Sequence, residues 1–356
     1  MKPVVTSAPG KLVLLGEYAV LFGAPSMVAA VDRRAMVTLA QAPGGVFEVT
    51  APDLAKEPAV FDFAKDGALE WRDETIGRRH FGLVEKVFEG LASTKKIVWN
   101  ELPPFVATLD TRAFFEMREG EPAKIGLGSS AALTVALVSA LETWAGADGT
   151  SGSNIERLQT MVDLHRHVQD GAGSGVDVAA SLIGGVVRYR LGGDGMVAEM
   201  ASVSLPEDLR MVFVWTGRSA RTGDFLERLG IGLKDRPQEV EPVLDELGSV
   251  STNGVAAVAA GNSAAFLEAV DEFWRVLDDL GGAISMPILA DEHRALRSLA
   301  ESVSVRYKPS GAGGGDLGVG FTTDETAALK MAERAAFEGY RVLDLQVSPV
   351  GVVQPD

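Results

Sequence analysis

Apolar and polar positions along this chain change their spacing several times, and each change marks an expected element. Over residues 3–49 short apolar runs, at 11–15 and 35–40, alternate with turn residues at Pro9-Gly10, Gly23-Ala24-Pro25 and Pro43-Gly44-Gly45, which reads as strands joined by turns. Residues 74–93 carry Ile76, Phe81, Val84, Val87, Phe88 and Leu91 at helical spacing, and residues 103–111 return to strand-like alternation. Residues 129–145 are small and apolar with no internal Pro or Gly, too long a run for a strand, so a buried helix is expected. A helix is expected over 154–169 and another over 176–182, after the Gly-rich stretch 171–175. Gly192 to Gly195 then reads as a turn between strands 185–191 and 196–203.

After Pro206 the pattern begins again. A strand is expected at 209–215, helices at 222–229, 237–260 and 263–280, a Gly-rich loop at 310–315, and strands at 317–321 and 341–346 flanking a helix at 325–338. There is no internal repeat. With 356 residues, enough for two cores, the restart places a domain boundary near residue 200, giving domains 1–200 and 201–356.

Composition narrows the classes. An apolar fraction of 46% with 23% charged residues is that of a folded globular protein. The 33 Lys and Arg against 49 Asp and Glu give a net charge of -16, which repels nucleic acid and anionic membranes, so neither is an expected partner. An anionic small molecule stays compatible, because a few local cations and helix N-termini outweigh a distant negative surface. No cysteine is present, which removes disulfides, thiolate metal sites and Cys nucleophiles. The apolar run near the N-terminus is broken by Gly16 and Glu17, too short for a membrane span and without a signal-peptide pattern, so a cytoplasmic location is expected.

Three glycine-containing segments carry candidate chemistry. The first is Pro122-Ala-Lys-Ile-Gly-Leu-Gly-Ser-Ser-Ala131, a turn leading into the expected helix at 129. Gly126 and Gly128 allow a phosphate to approach the backbone, the free N–H groups of the helix start point at it, and Ser129 and Ser130 offer caps and hydroxyls for phosphate or Mg²⁺. A simple turn and cap is the plainer use of the same residues. The second is the run Gly311, Gly313, Gly314 and Gly315, too flexible for an element interior and suited either to close backbone contact or to a hinge. The third is Gly173-Ser-Gly-Val-Asp177, a turn able to present a carboxylate, or to cap a helix with it. His80, His165, His167 and His293 lack metal-site spacing.

No Gly-Lys-Ser/Thr follows the glycines, so the loop is not a Walker A motif. It resembles instead the P-x3-G-L-G-S-S-A pattern of the GHMP kinases (galactokinase, homoserine, mevalonate and phosphomevalonate kinases). Ser7-Ala-Pro-Gly-Lys-Leu-Val-Leu-Leu-Gly-Glu-Tyr-Ala-Val20 resembles the family's first motif and Lys308-Pro-Ser-Gly-Ala-Gly-Gly-Gly-Asp316 its third, in the family's order. The resemblance implies an α+β fold with an N-terminal ATP-binding domain like ribosomal protein S5 domain 2 and a ferredoxin-like C-terminal domain. It implies ATP and Mg²⁺ at Lys124, Gly126, Leu127, Gly128, Ser129, Ser130 and Ala131, the two serines being the metal candidates.

Mevalonate and phosphomevalonate kinases use a Lys and an Asp in two of these motifs at the acceptor, which implies Lys11 and Asp177 as the catalytic pair. Asp177 would be general base or orienter of the acceptor oxygen, and Lys11 would stabilise charge. Tyr18 stands where mevalonate kinases usually have His, and His165 where they carry a metal-binding Glu. With Ser174 and the segment Trp215-Thr-Gly-Arg-Ser-Ala-Arg-Thr222, these features resemble the phosphomevalonate kinase branch. The implied substrate contacts are Tyr18, Ser174, Ser219, Arg221, Thr222, Ser310 and Ala312, with Arg218 and Lys124 as further cations, although loop arginines more commonly pair on the surface. The expected reaction is phosphorylation of phosphomevalonate by ATP, with a homodimer as the candidate assembly. Mevalonate kinase, another GHMP kinase, a decarboxylase and a non-catalytic ligand sensor are the alternatives.

Overall fold

The computed structural model describes residues 2–354 apart from 53, 54, 56, 66, 95, 96, 148–153, 170 and 172, so one position of the expected Gly-rich stretch 171–175 lies outside the described residues. Strand β1 (Val4–Leu15) and β2 (Ser26–Gln41) form a long antiparallel pair at the heart of the first sheet. The next strands are β3 (Phe47–Thr50), β4 (Ala59–Phe63), β5 (Leu69–Trp71) and β6 (Phe105–Asp110), followed by a separate hairpin of β7 (Phe115–Arg118) and β8 (Glu121–Lys124). With β9 (Val186–Leu191) and β10 (Val197–Val203), the described residues build an eight-stranded sheet in the order β10-β9-β2-β6-β3-β4-β5, with β1 also paired to β2. The β3–β6 pair is parallel.

Helices α1 (Glu74–Thr94), α2 (Ser129–Trp144), α3 (Asn154–Val168) and α4 (Val176–Ile183) pack with this sheet. The uniformly apolar α2 is buried on nearly every side, as its sequence requires. It also satisfies a buried hydroxyl in β1, since Thr6 Oγ1 donates to the Ala136 carbonyl at 2.7 Å.

The second sheet, of β11 (Arg210–Trp215), β12 (Arg306–Ser310), β13 (Leu317–Thr322) and β14 (Arg341–Leu343), is antiparallel throughout in the order β12-β13-β11-β14. Its helices are α5 (Thr222–Asp235), α6 (Pro237–Ala259), α7 (Ser263–Ala283), α8 (Asp291–Glu301) and α9 (Glu325–Phe337). The fold is the expected α+β, two-sheet architecture. From residue 346 the chain crosses back to the first sheet: Ser348 N donates to the Ala30 carbonyl at 2.9 Å, and Ser7 and Val353 exchange hydrogen bonds of 2.8 and 2.9 Å.

Several local expectations change. Pro9-Gly10 is not a turn; it is a bulge inside β1, where the register against β2 shifts and proline's missing N–H does no harm. The apolar run at 35–40 is only the end of the 16-residue β2. The segment before the phosphate-type loop is the β7–β8 hairpin, so Lys124 stands on a strand. Elements β4, β5, α8 and β12 add to those expected, α5 runs to Asp235, and β14 stops at Leu343.

Candidate active site

A cavity of about 280 Å³ opens where the end of β1, the start of α4, the start of α5 and the glycine loop of the third family motif (310–315, the third loop below) converge. Lys11, Tyr18, Ser174, Asp177, Thr222 and Ala312 line it, together with Glu17, which the sequence reading did not single out. Lys11 comes from β1 immediately after the bulge, its backbone N–H donating to the Leu127 carbonyl at 2.9 Å and its Nζ to the Gly126 carbonyl at 3.3 Å. The strand is thereby stitched to the second motif, and the Lys11 ammonium is set between that motif and the cavity.

The second motif has a geometry that suits an anion. Gly128 is the N-cap of α2 in the left-handed conformation (φ 73°), so Ser129 and Ser130 are inside the helix and do not cap it as expected. The left-handed turn favours glycine at the cap, which moves both serines into the first turn. The first intrahelical bond runs from Ala132 N to the Gly128 carbonyl, so the N–H groups of residues 129–131 have no acceptor within the helix. Such a terminus attracts anions. A Cβ at Gly128 would lie 2.9 Å from Lys11 Cγ, and one at Gly126 (φ 84°) 2.5 Å from Asp316 Cβ, so the loop is packed as closely as glycine permits. Leu127 and Ala131 are buried and have only backbone groups to offer, while Lys124 is exposed.

Asp177 is in the first turn of α4, behind the left-handed N-cap Gly175, and its Oδ1 accepts from the Val178 N–H at 3.0 Å. It is therefore not the helix cap. His165, buried in α3, bridges two motifs: Nε2 lies 3.3 Å from Ser130 Oγ and Nδ1 3.9 Å from Asp177 Oδ1. Ser174 is held through its carbonyl, which accepts from the Tyr189 hydroxyl at 2.6 Å; burial pushes that phenol well above its ordinary range. Burial likewise raises Tyr18, reinforced by neighbouring Glu17, so both hydroxyls keep their protons.

Other expected contacts lie outside the cavity. Ser219 is exposed and donates to the Lys124 carbonyl at 3.0 Å; Arg221 is exposed at the start of α5; Arg218 sits 3.5 Å from Glu292; Ser310 is buried at the end of β12. A residue the reading passed over, Asp316, packs against Gly126 and accepts from the Ala220 N–H at 3.1 Å. Burial raises its pKa, while the Ala220 N–H, Lys11 and Lys124 pull it back. The third loop is fastened at several points: Lys308 Nζ to Glu17 Oε1 at 2.5 Å, Gly314 N to the Ile288 carbonyl at 2.7 Å, and His293 Nε2 to the Gly315 carbonyl at 2.8 Å. Among the described residues no group of three or more His, Cys, Asp or Glu is placed to hold a metal, and no helix is long and apolar enough to cross a membrane.

Several known proteins are similar to this chain. Residues 92–185 match the model of the GHMP kinases N terminal domain. The chain is 28% identical over 378 residues to the phosphomevalonate kinase of Streptomyces sp. (strain CL190), covering 98% of this chain and 97% of that protein. It is 26% identical over 358 residues to the mevalonate kinase of Pyrococcus abyssi, covering 96% and 98%. Among solved structures, a Lin0012 protein from Listeria innocua superposes with a TM-score of 0.85 at 22% identity over 99% of both chains. Streptococcus pneumoniae phosphomevalonate kinase in complex with phosphomevalonate and AMPPNP superposes with a TM-score of 0.74 at 20% identity over 98% of this chain and 100% of that one. Three ordered motifs, the two-sheet fold and relatives aligned over nearly their whole length make this chain a small-molecule phosphotransferase that is similar to the GHMP kinases.

Proposed function

We propose that the protein transfers the γ-phosphoryl group of ATP to phosphomevalonate, giving diphosphomevalonate and ADP. The observation that carries this reading is the convergence of Lys11 and Asp177 on one cavity, with Lys11 Nζ also bonded to the phosphate-type loop. Phosphoryl transfer requires charge neutralisation and in-line positioning, and little covalent work from the protein. The free N–H groups of residues 129–131 and the glycines of the loop suit the triphosphate. Lys11, between loop and cavity, would neutralise charge on the transferring group while the bond to the leaving ADP oxygen breaks and the bond to the acceptor oxygen forms.

The donor set suits Mg²⁺ that arrives with the nucleotide. The Ser129 and Ser130 hydroxyls offer neutral oxygens at the start of α2, and a magnesium ion commonly takes most of its shell from phosphates and water. Bound there, the metal would neutralise phosphate charge. His165 occupies the position of the metal-binding carboxylate expected in mevalonate kinases, and its contacts with Ser130 and Asp177 suit a role in holding those side chains.

A phosphate acceptor has a second pKa near 6, so at neutral pH it needs no proton removed, whereas the hydroxyl of mevalonate does. In this reading Asp177 chiefly orients the acceptor. Tyr18, His165 and the full-length Streptomyces relative favour phosphomevalonate over mevalonate. The deciding experiment measures ADP release with phosphomevalonate and mevalonate side by side. Turnover of phosphomevalonate is expected; turnover of mevalonate alone replaces the reading with mevalonate kinase, and ATP binding without ADP release with either acceptor rejects both. Asp177→Asn is expected to lower kcat about 100-fold, the scale of loss when an acceptor is misplaced by about 1 Å, while the nucleotide Kd changes little. A near-normal kcat would remove Asp177 from the mechanism.

A further inference from the structure

Two adjacent side chains of the first motif reach across to the first two glycine-loop residues of the third. Glu17 Oε1 accepts from Lys308 Nζ at 2.5 Å and from the Gly311 N–H at 3.2 Å. Lys308 is fully buried; its Nζ also donates to the Pro309 carbonyl at 2.7 Å and lies 5.6 Å from the centre of the Phe273 ring. The next residue, Tyr18, has a left-handed backbone (φ 61°), uncommon for a side chain of its size, and that turn aims its hydroxyl at the Ala312 carbonyl, to which it donates. Gly311 and Ala312 belong to no helix or strand, yet both line the cavity, and a Cβ on Gly311 would lie 3.7 Å from Lys11 Nζ.

We propose that Glu17 is a positioning residue of the transfer reaction, acting with Lys308 and Tyr18 as a clamp that fixes Gly311–Ala312 as the cavity wall beside Lys11. The ion pair is sealed from water and ties residues from opposite ends of the chain. Its carboxylate holds a backbone N–H of the loop directly, so a change at Glu17 is transmitted to the wall against which the acceptor rests. The proposal rests on the kinase reading for its consequence in turnover, but not for the clamp itself.

The test separates holding the loop from merely filling the core. Removing both members of a buried ion pair together is far better tolerated than stranding one, so the informative variants are doubles. Glu17→Leu/Lys308→Met removes the charges and the acceptor for Gly311 N–H. Glu17→Gln/Lys308→Met removes the charges but keeps an oxygen there. The first is expected to lose at least tenfold in kcat/KM for the acceptor with the nucleotide KM within twofold of wild type, and the second to recover most of that loss. Hydrogen exchange at the Gly311 amide should accelerate at least tenfold in the first double while the β13 amides stay protected.

Wild-type acceptor kinetics in a folded Glu17→Leu/Lys308→Met enzyme, or unchanged exchange at Gly311, would overturn the proposal. Should that double fail to fold, Tyr18→Phe, which deletes one hydroxyl, carries the test: a severalfold rise in acceptor KM supports the clamp and an unchanged KM rejects it. Should wild type phosphorylate neither acceptor, the kinase reading fails, and exchange at the Gly311 amide decides the clamp alone: at least tenfold faster in Glu17→Leu/Lys308→Met than in wild type supports it, and an unchanged rate rejects it.

Discussion

His165 shows how much a single buried side chain can organise: it stands between a serine of the second motif and the carboxylate of the cavity, although neither belongs to its own helix. Gly128 is the complementary case, because its importance lies in an absent side chain. Gly128→Ala must place a Cβ on a left-handed backbone and 2.9 Å from Lys11 Cγ. Expected outcomes are a loss of roughly 1 kcal/mol or more in stability, read by denaturant unfolding, and at least a tenfold fall in turnover as Lys11 is displaced. Unchanged turnover would mean that Lys11 tolerates the shift. Six of the cavity-lining residues are legible because the motifs name them: Lys11, Tyr18, Ser174, Asp177, Thr222 and Ala312 all face one space. Glu17, Lys308 and Asp316 stand in the same motifs, yet nothing local marks them for a role. What distinguishes them is burial and partners far away in sequence, which no local pattern encodes. Ser219 and Arg221 lie exposed outside the cavity: residue types suited to phosphate do not reveal which way a loop points.

At the scale of elements, the third glycine loop ends on a buried relay. The Gly315 carbonyl can only accept, so His293 Nε2 carries the proton, and Nδ1 accepts from the Tyr307 hydroxyl at 2.9 Å. Burial holds the His293 pKa down to about 4 from an ordinary 6.5. The unfolded chain therefore binds a proton that the folded chain refuses between those two values. Stability is expected to be full above pH 6.5 and to decline as pH falls toward 4, by roughly 3 kcal/mol from this group. Unfolding measured across that range should show a shallower decline in His293→Gln than in wild type; equal slopes would remove His293 from the acid response. The long helices were legible from periodicity, and α2 from its length. The strand β12 was not, because Lys308 and Pro309 read as polar and strand-breaking until Glu17 and β13 supply their partners. The three-residue β5 is too short to show a period.

For the molecule as a whole, Arg34 fastens the returning C-terminal segment to the first sheet. Its guanidinium donates to Ser7 Oγ at 3.0 Å and the Ser7 carbonyl at 2.9 Å, and to Ser348 Oγ at 3.1 Å and the Gly351 carbonyl at 2.6 Å. Arg34→Ala is expected to destabilise the protein by about 2 kcal/mol, the scale of several charge-assisted bonds partly replaced by water. Thermal unfolding checks this, with an unchanged midpoint counting against the tie. The return of residues 346–353 was not legible, since nothing in a short apolar tail says which sheet it will join.

The exchange of hydrogen bonds between Ser7 and Val353 sets residues 7 and 353 side by side. During synthesis β1 therefore lacks this outer neighbour until residue 353 has left the ribosome. The sheet that carries Lys11 is completed only then, by a contact that must close a loop running from one sheet through the other and back.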